Sequence, residues 1–135
     1  MIGHSGGCLC GNVRYTLNAK PALTVVCHCT HCQKASGSAF STNLVVQRAD
    51  IAFSGGELAV YDDKADSGNV LKRSFCPKCG SSIMSESSGR PGSAVLKAGT
   101  LDDPSTVKPT MQIWTRSAQP WVKFAAEMTS MEKGR

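Results

Sequence analysis

The chain has 135 residues, 41% of them hydrophobic and 19% charged, with a formal net charge of +5. That length fits one domain with a real core, and the balance is globular rather than disordered. No apolar run nears the ~20 residues of a membrane span, and residues 1–7 lack the basic and apolar parts of a secretory signal.

From the N-terminus, Cys8-Leu9-Cys10-Gly11 reads as a tight turn, and the alternation of Val13, Tyr15 and Leu17 predicts a strand. Pro21 ends it. A short strand is expected over 23–27, feeding a cysteine-rich turn, and 34–37 reads as one helical turn stopped by Gly37. Residues 40–47, rich in Val and Thr, and 51–53 are the next strand candidates, before the Gly55-Gly56 turn. Residues 58–61 form another, and the polar stretch 62–69 reads as a turn. Residues 70–75 deliver the last two cysteines as a strand, and 81–84 lead away from them. Residues 85–92 read as loop, 94–98 as strand, and 101–109, with two prolines and two aspartates, as loop. Residues 111–115 make a last strand, 120–124 pack or cap the end, and 127–135 are expected to fray. Short strands between Gly and Pro turns, with no long amphipathic helix and no repeat, imply a mainly β domain of antiparallel strands.

Seven cysteines are many for so short a chain. An odd number cannot pair completely within one chain, and the reducing cytoplasmic setting expected without a signal disfavours disulfides. They fall into three groups: Cys8 and Cys10; Cys27, Cys29 and Cys32; Cys76 and Cys79. In Cys76-Pro77-Lys78-Cys79-Gly80 two thiolates are spaced to grip one ion, although a lone pair of this kind also suits redox chemistry. The glycine and the second pair at Cys8 and Cys10 favour metal, since four thiolates suit a tetrahedral structural zinc. The alternative is that one pair is free or redox-active.

Cys27, Cys29 and Cys32 remain. Three thiolates can hold zinc and leave a fourth position to water or substrate, as a catalytic zinc requires. Such a metal can take up an incoming thiol and lower its pKa. His28 and His31 lie inside this cluster. Each is either a fourth ligand or an outer group orienting a sulfur or a substrate oxygen. The second reading is preferred, because a residue between two ligands tends to point away from their metal. The basic excess permits an anionic small ligand. The basic residues form no long run and do not interleave with aromatics, which argues against nucleic acid.

Three motifs stand in order: Gly7-Cys8-Leu9-Cys10-Gly11, Cys27-His28-Cys29-Thr30-His31-Cys32-Gln33-Lys34-Ala35-Ser36-Gly37 and Phe75-Cys76-Pro77-Lys78-Cys79-Gly80-Ser81. With Ala98-Gly99-Thr100-Leu101-Asp102 and Trp121-Val122, they make residues 5–125 resemble the glutathione-dependent formaldehyde-activating enzyme (GFA) family. The resemblance implies an Mss4-like fold of short antiparallel strands stapled by zinc, with residues 1–135 forming a single GFA-type zinc-binding domain. It implies two Zn2+ sites. Cys8, Cys10, Cys76 and Cys79 would form the structural one, and Cys27, Cys29 and Cys32 the catalytic one with its open position. It also implies a carbon–sulfur lyase acting on glutathione or a related thiol adduct, as in reversible formation of S-(hydroxymethyl)glutathione from formaldehyde and glutathione.

Members of that family often carry a histidine where this chain has Gln112. Glutamine donates and accepts hydrogen bonds but is no general base near neutral pH. On this reading Lys34 binds a carboxylate of glutathione or is simply a solvated surface lysine, with Arg116, Arg73 and Lys72 as weaker candidates. Gln112 and Trp114 are expected on the substrate side, Trp114 and Trp121 as pocket walls or as ordinary packing. The expected partner is a small thiol such as glutathione, with no membrane and no nucleic acid, for a cytoplasmic monomer or homodimer. The rival readings are a non-catalytic zinc-stabilised module that binds protein or nucleic acid, and a methionine sulfoxide reductase, which needs a reactive, metal-free cysteine.

Overall fold

The computed structural model describes residues 4–124 and 127–134. Its first half runs β1 (His4–Gly7), β2 (Val13–Leu17), β3 (Leu23–Cys27), α1 (Thr30–Ser36), β4 (Ser41–Gln47) and β5 (Ile51–Gly55). There follow β6 (Ala59–Lys64), β7 (Val70–Phe75), β8 (Ser82–Ser87), β9 (Ser93–Lys97), β10 (Met111–Ile113) and β11 (Thr129–Ser130). A three-stranded sheet has the order β1-β2-β5, and an eight-stranded sheet the order β11-β10-β3-β4-β9-β8-β7-β6. The mainly β, antiparallel architecture expected from the sequence is present. Strand β10 departs from it, lying parallel to both β3 and β11.

The two sheets meet face to face. On β2 the side chains of Val13, Tyr15 and Leu17 are buried while Arg14 and Thr16 point the other way, the period-two pattern of a strand with one dry face. They pack with Ile51 on β5 against Leu44, Val46, Ile83, Ala94 and Leu96 of the larger sheet. The opposite face of β4 and β9 carries Asn43 and Lys97, directly opposed in the antiparallel register. Strand β4 also packs against α1.

Several boundaries differ from the sequence expectation. The helix starts at Thr30 rather than residue 34, because the Cys29 sulfur caps it by accepting from the Cys32 N–H at 3.2 Å. Strand β6 continues through Asp62, Asp63 and Lys64, expected as a turn, because their side chains find cross-strand partners on β7. Asp62 lies 3.6 Å from Lys72, and Asp63 2.9 Å from Arg73. Strand β8 runs on to Ser87, paired with Leu71. Strand β10 stops at Ile113, since Trp114 adopts a left-handed backbone (φ 57°), alone among the described non-glycine residues. Within the stretch expected to fray, Thr129 and Ser130 pair with β10. Residues 1–3, 125–126 and 135 lie outside the described residues.

Candidate functional site

The first cysteine pair and the CxxC pair, far apart in sequence, come together at one end of the smaller sheet. The sulfurs of Cys8, Cys10, Cys76 and Cys79 lie within 4.8 Å of one another, with Cys8 to Cys10 at 3.6 Å and Cys10 to Cys76 at 3.8 Å. Four sulfurs placed tetrahedrally about a zinc ion are roughly 3.8 Å apart. Each pair ends in a turn that glycine makes possible, Gly11 at φ 81° and Gly80 at φ 79°. The Val13 N–H donates to Cys8 Sγ at 3.2 Å, and Ser81 Oγ lies 3.2 Å from Cys79 Sγ.

These contacts divide the charge unevenly. The Ser81 hydroxyl and amide pull Cys79 down to about 5. The Val13 amide holds Cys8 below the ordinary thiol value. Against a hydrogen bond from the Asn12 amide, desolvation and the neighbouring sulfurs push Cys10 up to about 11. A divalent cation relieves that conflict by letting all four sulfurs ionise.

The second cluster forms where β3 turns into α1. Cys27 ends the strand, Cys29 caps the helix and Cys32 sits in its first turn, so one short segment points three sulfurs at one place, within 4.8 Å of one another. Cys27 and Cys32 are buried and Cys29 is half-buried. Hydrogen bonds from Cys27 and Cys29, with one from Ser41, pull Cys32 far below the ordinary thiol value, whereas Cys27 is pushed far above it. Three sulfurs so close together cannot all be anionic without a cation. Both clusters therefore have the donor chemistry and spacing to hold a metal ion.

A polar chain not expected from the sequence leads to Cys32. Lys97 Nζ donates to Asn43 Oδ1 at 2.7 Å, and Asn43 Nδ2 donates to Ser41 Oγ at 2.9 Å. Ser41 in turn favours the ionised form of Cys32. Lys97 is half-buried, its ammonium bonded to the buried Asn43. Burial pushes that group below its usual value, and the sulfurs of Cys32, Cys27 and Cys29 oppose the shift. The one sequence signal for Lys97 is a lysine at the end of an otherwise apolar strand, next to Ala98-Gly99-Thr100. Cys32 and Lys97 line a cleft of roughly 450 Å3 together with Gly80 and Ser81, which follow Cys79. The cleft thus lies between the two cysteine clusters.

The remaining candidates occupy different places. His28 is buried among Phe40 and Phe124, and its Nε2 lies 2.9 Å from Gln112 Oε1. Gln112 also donates through Nε2 to Ser130 Oγ at 3.0 Å. His31 is exposed and bonds Asp63 through Nδ1, and Asp63 also holds Arg73 Nε at 2.9 Å. Neither histidine joins the three-sulfur group. Lys34 is exposed on two neighbouring grooves, one shared with Trp121 and one with Tyr61. Trp114 receives the C-terminal segment, its N–H bonding Lys133 O at 3.2 Å. Arg116 and Lys72 are exposed. Gln33 is an unforeseen brace, donating through Nε2 to the carbonyls of His28 (2.7 Å) and Ser117 (3.0 Å).

Residues 3–117 match the sequence model of a family described as glutathione-dependent formaldehyde-activating enzyme. The fold is similar to the crystal structure of a Rhodobacter sphaeroides protein, a structural genomics target. The two share 20% identity and a TM-score of 0.60 over 78% of this chain and 91% of that one, a likeness of fold alone. No curated protein matches the sequence.

Proposed function

The chain belongs to the family of glutathione-dependent formaldehyde-activating enzymes, and from that premise we propose that it is a zinc-dependent carbon–sulfur lyase acting on glutathione or a related small thiol. The division of seven cysteines into a four-sulfur and a three-sulfur cluster carries this reading. Cys8, Cys10, Cys76 and Cys79 hold a structural zinc that ties the first turn to the middle of the chain. Cys27, Cys29 and Cys32 are the residues that would hold the second, three ligands where a structural zinc takes four. When bound there, zinc supplies a Lewis acid that favours the ionised form of an incoming sulfur.

The reaction makes one bond and opens another. The thiol sulfur bonds to the aldehyde carbon, the carbonyl π bond opens, and the thiol proton ends on the former carbonyl oxygen. Cleavage of the adduct is the reverse. The protein's residues serve it by position. Cys32 faces the cleft, so substrate enters from that side. Ser41, held by Asn43, favours the ionised Cys32 sulfur. Gln112 holds the His28 ring behind the loop that carries Cys27 and Cys29. Lys34 lies outside the Cys32 cleft on neighbouring grooves, and Trp114 braces the C-terminal segment.

The test is Cys29→Ser. Zinc content should fall from two ions per chain to one, the circular dichroism spectrum should persist, and the exchange between glutathione, formaldehyde and their adduct followed by NMR should drop to the uncatalysed rate. Exchange as fast as in the parent protein would refute the proposal and leave a zinc-stabilised binding module.

A further inference from the structure

The cleft beside Cys32 contains a cation whose hydrogen-bonding capacity the protein leaves mostly unused. Lys97 carries three N–H donors on its ammonium. One goes to Asn43 Oδ1 at 2.7 Å, and among the described residues no carboxylate pairs with it. The other cation of the wall, Arg73, is already engaged, its Nε bonded to Asp63. No aspartate or glutamate lines the cleft, while Ser81 and Thr100 stand on its wall with Lys97.

A half-buried ammonium is costly to hold unless an anion or further acceptors meet it. The sulfurs near Lys97 supply negative charge, but none of them is hydrogen-bonded to it. Among the described residues no further oxygen accepts from the remaining donors. The bond to Asn43 already fixes Nζ, so a ligand anion would meet a preorganised donor. Asn43 itself is anchored, bonding Ser41 Oγ and the Val25 carbonyl. A ligand with its sulfur beside Cys32 and a carboxylate at Lys97 would lie wholly within this one cleft of roughly 450 Å3.

We infer that Lys97 is the carboxylate anchor of this site and that it selects thiols carrying a carboxylate over neutral thiols. The thiol half of this statement rests on the function proposed above. The carboxylate half rests on Lys97 and the cleft alone. Lys97 is thus a specificity residue, and Lys34, absent from this cleft, contacts other parts of the surface.

The test compares 3-mercaptopropionate with 2-mercaptoethanol, which differ in the carboxylate. Binding is measured by calorimetry on zinc-loaded protein, on Lys97→Met and on Lys97→Arg, each checked for two zinc ions and for an unchanged unfolding transition. The parent should bind 3-mercaptopropionate about 10-fold or more tighter, as expected for a charged hydrogen bond. Lys97→Met should abolish that preference without weakening 2-mercaptoethanol, and Lys97→Arg should restore part of it. Equal affinity for both thiols in the parent, or equal loss of both in Lys97→Met, overturns the inference. S-methyl-3-mercaptopropionate, which cannot form a thiolate, isolates the carboxylate half. It should shift the NMR signals of the Lys97 side chain in the parent protein, and no shift overturns the inference whether or not any thiol binds. Failure of both thiols to bind while this shift appears would count against the proposed lyase and not against the anchor.

Discussion

His28 Nε2 and Gln112 Oε1 lie 2.9 Å apart, joining the loop of the three-cysteine cluster to β10. The second amide atom settles the direction. Ser130 Oγ donates to Met128 O, so it accepts from Gln112 Nε2, and Oε1 is left to accept from the ring. His28 is therefore protonated on Nε2, with Nδ1 buried and without a partner among the described residues. Gln112→Leu removes the acceptor and leaves a buried N–H unpaired, a cost of about 1–3 kcal/mol. Gln112→Glu keeps the acceptor and should lose much less. Chemical denaturation of the two zinc-loaded variants checks the order.

Removing a ligand of the four-sulfur cluster should act on the fold itself. Structural zinc contributes about 10 kcal/mol or more in apparent terms, comparable with the whole stability of a small domain. Cys76→Ser should bind one zinc fewer and lose its cooperative thermal transition. A sharp transition near that of the parent would show that the cluster does not hold the domain.

Gly6 marks the tightest approach between the smaller sheet and the loop after β9. A Cβ there would overlap the Thr100 carbonyl oxygen and the Tyr15 ring and hydroxyl, which itself bonds Thr100 Oγ1 at 2.7 Å. Gly6→Ala should destabilise by about 1–3 kcal/mol or more. Adding Tyr15→Phe should recover only part of this, because the carbonyl overlap remains. Gly99→Ala, which meets open space, is the control and should stay within about 0.5 kcal/mol in urea unfolding.

The Asp63 contacts give the stability an acid limb. Burial acts to raise the Asp63 carboxyl, but His31 and Arg73 outweigh it and hold it below the ordinary 3.8. Its contribution is thus fully present above that value and disappears as pH falls through the lower value of the folded state. Asp63→Asn should cost about 1.5–3 kcal/mol at neutral pH. The gap between parent and variant should close below pH 3.8, as denaturation at stepped pH would show.

The cysteine groups were legible because spacing alone tells which sulfurs can reach one ion, and the observed partition is the expected one. Strands with one dry face, such as β2, were equally plain. What escaped depends on partners remote in sequence. The start of α1 was hidden because its cap is a sulfur rather than a serine or aspartate side chain. The outer half of β6 reads as turn because it is charged, and only the facing charges of β7 make it a strand. Lys97 and Asn43 lie 54 positions apart, and their meeting follows from the β4–β9 register, which no local pattern discloses.

The four-sulfur cluster opens to solvent on one side: Cys8 and Cys76 are buried, but Cys10 is exposed and Leu9 beside it is 89% exposed, whereas no sulfur of the other cluster is exposed. A chelator or an oxidant arriving from solution therefore meets the scaffold before it meets the chemistry. Metal depletion or oxidation would tend to clear the whole protein rather than leave a folded, inactive one behind.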